Sequence, residues 1–175
     1  MNEAVAHIEA SPGDVGTLEM IVRRPMVGER EVLDVGELTC EDGLVGDGWR
    51  QRGSRHTPDG SAELDRQLTL MNARAVAAVA GERERWPLAG DQLYVDLDLS
   101  DENLPAGTRL RIGTAVVEVT AEPHTGCAKF RSRYGPEATT FVNSADGRRL
   151  RARGINARVV TAGTIRAGDE VRKIY

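Results

Sequence analysis

Leu110-Arg111-Ile112-Gly113-Thr114-Ala115-Val116-Val117-Glu118-Val119 decides the fold. Apolar and polar residues alternate on both sides of Gly113-Thr114, the period-two pattern of half-buried strands. The glycine between them predicts a tight hairpin. The same form, a glycine turn followed by an alternating run, recurs at Gly90-Asp91-Gln92-Leu93-Tyr94-Val95 and at Gly168-Asp169-Glu170-Val171-Arg172-Lys173-Ile174. Strands are also expected at Thr17 to Arg24, Val32 to Thr39, Gln67 to Met71 and Ile155 to Val160. Their spacing is too irregular for a solenoid. Many short strands and few helices predict a mainly β fold, closed or partly closed as a barrel, which would leave few exposed edges.

The clearest helix is Ala73 to Ala80, with Asn72 as its cap and Gly81 as its stop. Val76, Val79 and Ala80 share one face, which should lie against the sheet. Two shorter helices are expected, at Ala128 to Tyr134 and at Ala138 to Ala145, with Asp146-Gly147 ending the second. Residues 1–13 show no period and contain Pro12-Gly13, so they read as a loose lead-in. Thr161 to Ala167 reads as a turn into the last strand. Arg50 to Arg66 is a polar stretch with Arg50, Arg52, Arg55 and His56. Such a stretch is either a basic loop over a binding site or a surface excursion.

The 175 residues are expected to form one domain, 1–175, with a core that needs no staples. Cys40 and Cys127 are too few and too far apart for a disulfide framework. Cys40, at a strand end, reads as a small buried hydrophobe. The N-terminus lacks a basic start and an apolar run, and no stretch is long enough to span a bilayer. A cytoplasmic protein with reduced thiols and no membrane partner is expected. A net charge of −4 argues against a nucleic-acid partner. Lys129, Arg131, Arg133, Arg148, Arg149, Arg151 and Arg153 nevertheless outnumber Glu137 and Asp146 between positions 129 and 153. A basic patch on an acidic chain suits a small anionic ligand; a solvated basic face is the plainer alternative.

The chemistry centres on Glu122-Pro123-His124-Thr125-Gly126-Cys127-Ala128-Lys129-Phe130. Pro123 ends the preceding strand and Gly126 permits a turn, which places Cys127 at the lip of a sheet. Three roles fit Cys127 on residue type alone. It is a nucleophile activated by nearby cations, a soft metal ligand, or an inert buried thiol. His124 is an acid–base candidate or a hydrogen-bonded structural histidine. One thiolate and one histidine are too few for structural zinc. No Walker or dinucleotide motif is present, and Lys129 and Lys173, the two lysines of the chain, lack the setting of a pyridoxal phosphate (PLP) site.

Four stretches resemble the MOSC family, found at the C-terminus of molybdenum-cofactor sulfurases and as stand-alone bacterial proteins. They are Gly43-Leu44-Val45-Gly46-Asp47, Arg66-Gln67-Leu68-Thr69-Leu70-Met71, the run from Leu110 through Pro123 to Cys127, and Gly154-Ile155-Asn156-Ala157-Arg158-Val159 with Gly163 and Gly168-Asp169. The resemblance is clearest over 43–175. The family's Gly-Glu-Asn-Leu signature is altered here to Gly90-Asp91-Gln92-Leu93. The resemblance implies a β-barrel-like MOSC fold, of the PK beta-barrel-like kind, and a functional cysteine at Cys127. That cysteine would ligate the molybdenum of a pterin cofactor or carry sulfur as a persulfide, with His124 beside it. Lys129, Arg55, Arg148, Arg149, Arg151 and Arg153, with Arg50 and Arg52, would hold the cofactor phosphate. Two functions follow: a molybdenum enzyme reducing small N-hydroxylated compounds, or a sulfur carrier. The carrier would be served by a PLP-dependent cysteine desulfurase and would deliver to a molybdoenzyme, so PLP enters only through a partner.

Overall fold

A computed structural model describes residues 2–175. Its strands are β1 (Val15–Arg23), β2 (Glu31–Leu33), β3 (Val35–Thr39), β4 (Gly43–Leu44), β5 (Leu68–Asn72), β6 (Leu93–Asp96), β7 (Arg109–Ile112), β8 (Ala115–Val119), β9 (Ile155–Thr161), β10 (Gly163–Arg166) and β11 (Glu170–Ile174). The helices are α1 (Asn2–Glu9), α2 (Trp49–Arg52), α3 (Ala73–Ala80), α4 (Ala128–Tyr134), α5 (Pro136–Asn143) and α6 (Ala145–Arg149), with 3-10 turns at Leu64–Arg66 and Arg83–Ala89.

The main sheet runs β11-β7-β8-β9-β5-β6-β1, and β11 also pairs with β1. Seven strands therefore close into a barrel, and β2 hangs outside it on β1. The hairpin expected across Gly113-Thr114 pairs Leu110 with Val117 and Ile112 with Ala115. β5 and β6 are parallel, which requires a crossover, and α3 supplies it. Asn72 caps α3 by accepting from the amides of Arg74 and Ala75, and Gly81 ends it at φ 74°. A smaller sheet, β10-β3-β4, lies beside the barrel.

The alternation divides the apolar residues into two cores. Leu18, Ile21, Leu70, Leu93, Leu110 and Val117 fill the barrel. Met20, Val22, Met71 and Tyr94 point outward against Trp86 and the helices, where Val76, Phe130, Phe141 and Leu150 cover them. A register shift between Leu18 and Met20 lets β1 serve both sides. Burial of each such side chain stabilises by roughly 1.5–3 kcal/mol.

The structure corrects four expectations. Residues 2–9 of the expected lead-in form α1, because Val5 and Ile8 share a face that packs on the outer core. Gly163–Arg166 is a strand paired with β3 rather than a turn. Cys40 is exposed in a turn, where its carbonyl accepts from Gln67 Nε2, so it is not a core residue. The helix expected at 138–145 starts at Pro136, whose missing N–H costs nothing in a first turn. It breaks at Ser144, whose extended backbone starts α6 and whose side chain accepts from Gly147 N. Among the described residues, no helix is long and apolar enough to cross a membrane.

Candidate functional site

Asp91 lies in the turn before β6 and is fully buried. It is bracketed by two donors. His124 Nε2 sits 2.8 Å from its Oδ1, and Arg153 Nη1 donates to Oδ2 at 2.6 Å. Burial would raise the carboxyl pKa, but Arg153 and His124 outweigh it and hold the group well below the usual carboxylate range. Burial and the neighbouring Arg153 push the His124 pKa down, against the pull of Asp91. This favours the neutral ring, and the contact with the ionised Asp91 favours the tautomer that donates Nε2–H to it.

Arg153 is built in from several sides. Its Nη2 donates to the Ala89 carbonyl at 2.9 Å, and its guanidinium lies 4.9 Å from the Phe130 ring centre. Its Nε is buried without a partner among the described residues. The turn that delivers it is unusual: Arg151 adopts φ 49° and Gly154 adopts φ 127°. A Cβ on Gly154 would stand 2.4 Å from the Leu70 carbonyl oxygen and 2.9 Å from His124 Cδ2. Only glycine lets the backbone pass beneath the histidine ring.

Cys127 is exposed on the other side of this cluster, at the N-cap of α4. It shares a cleft of about 230 Å³ with His124 and with Arg24, Arg30, Arg52, Lys129, Arg133 and Arg153. The cations arrive from the loop after β1, α2, α4 and the turn before β9. Arg24 is clamped in place. Its Nε and Nη2 take the two oxygens of Asp47 at 2.9 and 2.7 Å, and Nη1 donates to the Gly90 carbonyl. The Gly43 to Asp47 turn thus serves to hold an arginine at the cleft. Gln92, beside Asp91, accepts from Thr69 N and Oγ1 and pins the start of β6 to β5.

The electrostatics are those of an anion site. Burial pushes the Arg30 pKa down, and crowding by Arg133 and Arg24 pushes it further; Arg52 is lowered by burial and then by Arg24. Partial burial would raise the Cys127 thiol, but the amides of Phe130 and Lys129, then Arg153 and Arg133, carry its pKa below that of an ordinary thiol. The sulfur closes no cap hydrogen bond. The aligned N–H dipoles at the start of α4 and the cations favour the thiolate all the same.

The candidates named from sequence separate in space. Cys127, His124, Lys129, Arg52 and Arg153 meet at one cleft. Arg148 and Arg151 line a second cavity, behind His124. Arg149 turns outward to Glu9 and Asp146. Arg55 lies in an exposed turn and is not among the residues lining the cleft, and Arg50 pairs with Asp42. Arg24, Arg30 and Asp91 join the site from distant positions. The signal for Asp91 was a pair of polar residues, Asp91-Gln92, heading an otherwise apolar strand.

The model of the MOSC domain matches residues 30–172. No curated protein matches the sequence. Among solved structures, the YuaD protein of Bacillus subtilis aligns over 92% of this chain and 97% of its own, with a TM-score of 0.65 at 17% identity. YiiM of Escherichia coli aligns over 91% of this chain and 70% of its own, with a TM-score of 0.57 at 23% identity. YiiM of Geobacillus stearothermophilus covers 94% and 75%, with a TM-score of 0.55 at 12% identity. At these identities the neighbours speak for the fold, and the family match over most of the sequence decides the rest: the chain belongs to the MOSC domain family.

Proposed function

We propose that the cleft holds a molybdenum-bearing pterin cofactor, with Cys127 as the protein's ligand to the metal and the surrounding cations on the cofactor phosphate. The family is associated with molybdenum-cofactor biology. The observation that carries the reading is the exposed Cys127, its thiol pKa lowered, sharing one cleft with Arg24, Arg30, Arg52, Lys129, Arg133 and Arg153. A thiolate is a soft donor that suits molybdenum, and guanidinium groups suit phosphate oxygens. Among the described residues, no three His, Cys, Asp or Glu side chains converge as a ligand set. A metal at Cys127 must therefore bring ligands of its own, as a pterin cofactor does. The donor set fits the group.

When bound, the cofactor would supply two-electron redox chemistry. The chain supplies the rest. Partial burial raises the Cys127 thiol pKa, but the amides of Phe130 and Lys129, then Arg153 and Arg133, bring it down and favour the anion. Arg24 and Arg153 are fixed by carboxylates behind them and present rigid positive charge. His124 lines the cleft with its ring oriented by Asp91, and burial and Arg153 favour the neutral ring there.

A sulfur carrier loaded by a PLP-dependent desulfurase is the second reading, and one observation favours it: Cys127 is open to a docking partner. It leaves the ring of cations without a purpose, because a persulfide needs no phosphate site. Molybdenum and cyanide-releasable sulfur, measured on protein from a cofactor-producing host, separate the two. Near-stoichiometric molybdenum supports the cofactor. Labile sulfur without molybdenum supports the carrier and overturns it.

A further inference from the structure

His124 and Arg153 form a wall with a cavity on each side. The Cys127 cleft lies in front. Behind is a more enclosed space of about 370 Å³, which Cys127 and Lys129 do not line. Pro123, Val142 and Ile155 give it apolar surface, Thr125 gives it a hydroxyl, and Arg148 and Arg151 stand at it with Arg153.

Of its three arginines, Arg153 is paired with Asp91 and Arg151 with Asp101, which leaves Arg148 unbalanced. The Arg148 guanidinium makes no ion pair or hydrogen bond among the described residues. Arg153 is 93% buried on its side chain, touches both cavities and keeps Nε without a partner. Arg151 is held by the Leu99 and Leu104 carbonyls and by Asp101, at the left-handed φ of 49°. Such backbone persists only where its surroundings fix it. Glu122, the one carboxylate on the lining, is engaged by Arg66 at 3.1 Å. The lining thus offers an unpaired cation, Arg148, together with apolar surface.

We propose that this rear cavity is a second binding site, for a small organic anion that carries one carboxylate on an apolar body. The carboxylate pairs with Arg148 and the body packs on Pro123, Val142 and Ile155. The site goes beyond the cofactor reading and does not depend on it.

Benzoate is the probe, with benzamide as its neutral counterpart, titrated calorimetrically into the full chain free of metal. Saturable benzoate binding is expected, with benzamide at least roughly tenfold weaker, the loss of one charge-assisted hydrogen bond. Arg148→Ala, an exposed substitution, should weaken benzoate by the same factor. Lys129→Ala and Cys127→Ser should leave it unchanged. Binding that survives Arg148→Ala but is lost in Lys129→Ala would put the anion in the front cleft and overturn the proposal, as would equal affinity for benzamide or no saturable binding. None of these results depends on whether molybdenum binds at Cys127, so the two readings fail separately.

Discussion

His124 Nε2 rests 2.8 Å from Asp91 Oδ1, and Arg153 holds the other oxygen of the same buried carboxylate at 2.6 Å. One acid thus orients both residues that divide the two cavities.

Replacing that acid should be costly. Asp91→Asn leaves Arg153 with its charge buried and weakly paired, for which a loss of about 3–5 kcal/mol is expected. Because the folded pKa of Asp91 lies below the unfolded value of ~3.9, its contribution is present above that value and is lost as pH falls through the folded one. Urea midpoints should therefore fall with pH below about 4 in the wild type, and less steeply in Asp91→Asn. Parallel curves would show that Asp91 is not the group responsible.

Cys127 should behave as an acidic thiol. Burial opposes this, but the amides of Phe130 and Lys129, with Arg153 and Arg133, win. The pH profile of iodoacetamide alkylation should have its midpoint below that of an ordinary thiol measured alongside it. Arg133→Ala removes one of these charges and should move the midpoint upward. A midpoint at or above the ordinary value, unmoved by the substitution, would contradict the electrostatic description of the cleft.

Gly154 should not tolerate a side chain. Alanine there meets the Leu70 carbonyl at 2.4 Å on top of a φ of 127°, and it presses on His124. A loss of more than about 2 kcal/mol is expected, together with a shift of the His124 ring resonances. Gly107 is the control. It has φ 94°, but a Cβ there would meet nothing within 4 Å, so Gly107→Ala should cost only the backbone strain, about 1 kcal/mol, and leave His124 alone. Equal losses at both positions would mean that the close approach at Gly154 is relieved without consequence.

Asn72 joins the barrel to its crossover helix. Its Oδ1 accepts from the amides of Arg74 and Ala75, and its Nδ2 donates to Ser11 Oγ and the Leu97 carbonyl. Asn72→Ala removes the cap and leaves the Leu97 carbonyl unpaired. About 2 kcal/mol or more should be lost in denaturant unfolding. A loss below about 0.5 kcal/mol, the scale of an ordinary surface change, would show that solvent replaces both roles.

The barrel was legible because its two faces alternate openly: Leu110 and Ile112 opposite Ala115, Val117 and Val119 leave little choice of register. The first helix was hidden because Val5 and Ile8 are too few to show a period until an outer core exists to receive them. Cys127 could be picked out from its flanking proline and glycine. The rest of the ring of cations could not, since Arg24 and Arg30 reach the cleft only when β1 and β6 pair. The Arg148 to Arg153 run looked like one patch. The left-handed turn at Arg151 divides it, sending Arg149 to solvent and Arg153 to Asp91.

Molybdenum content tests the central claim most directly, measured per chain in the wild type, in Cys127→Ser and in Cys40→Ser, all from the same cofactor-producing host. Cys40 is also exposed but is not among the residues lining the cleft, so it controls for adventitious metal on a surface thiol. Near-stoichiometric molybdenum in the wild type and in Cys40→Ser, with at least a tenfold drop in Cys127→Ser, is the predicted result. Equal molybdenum in all three, or none in any, would contradict Cys127 as the ligand.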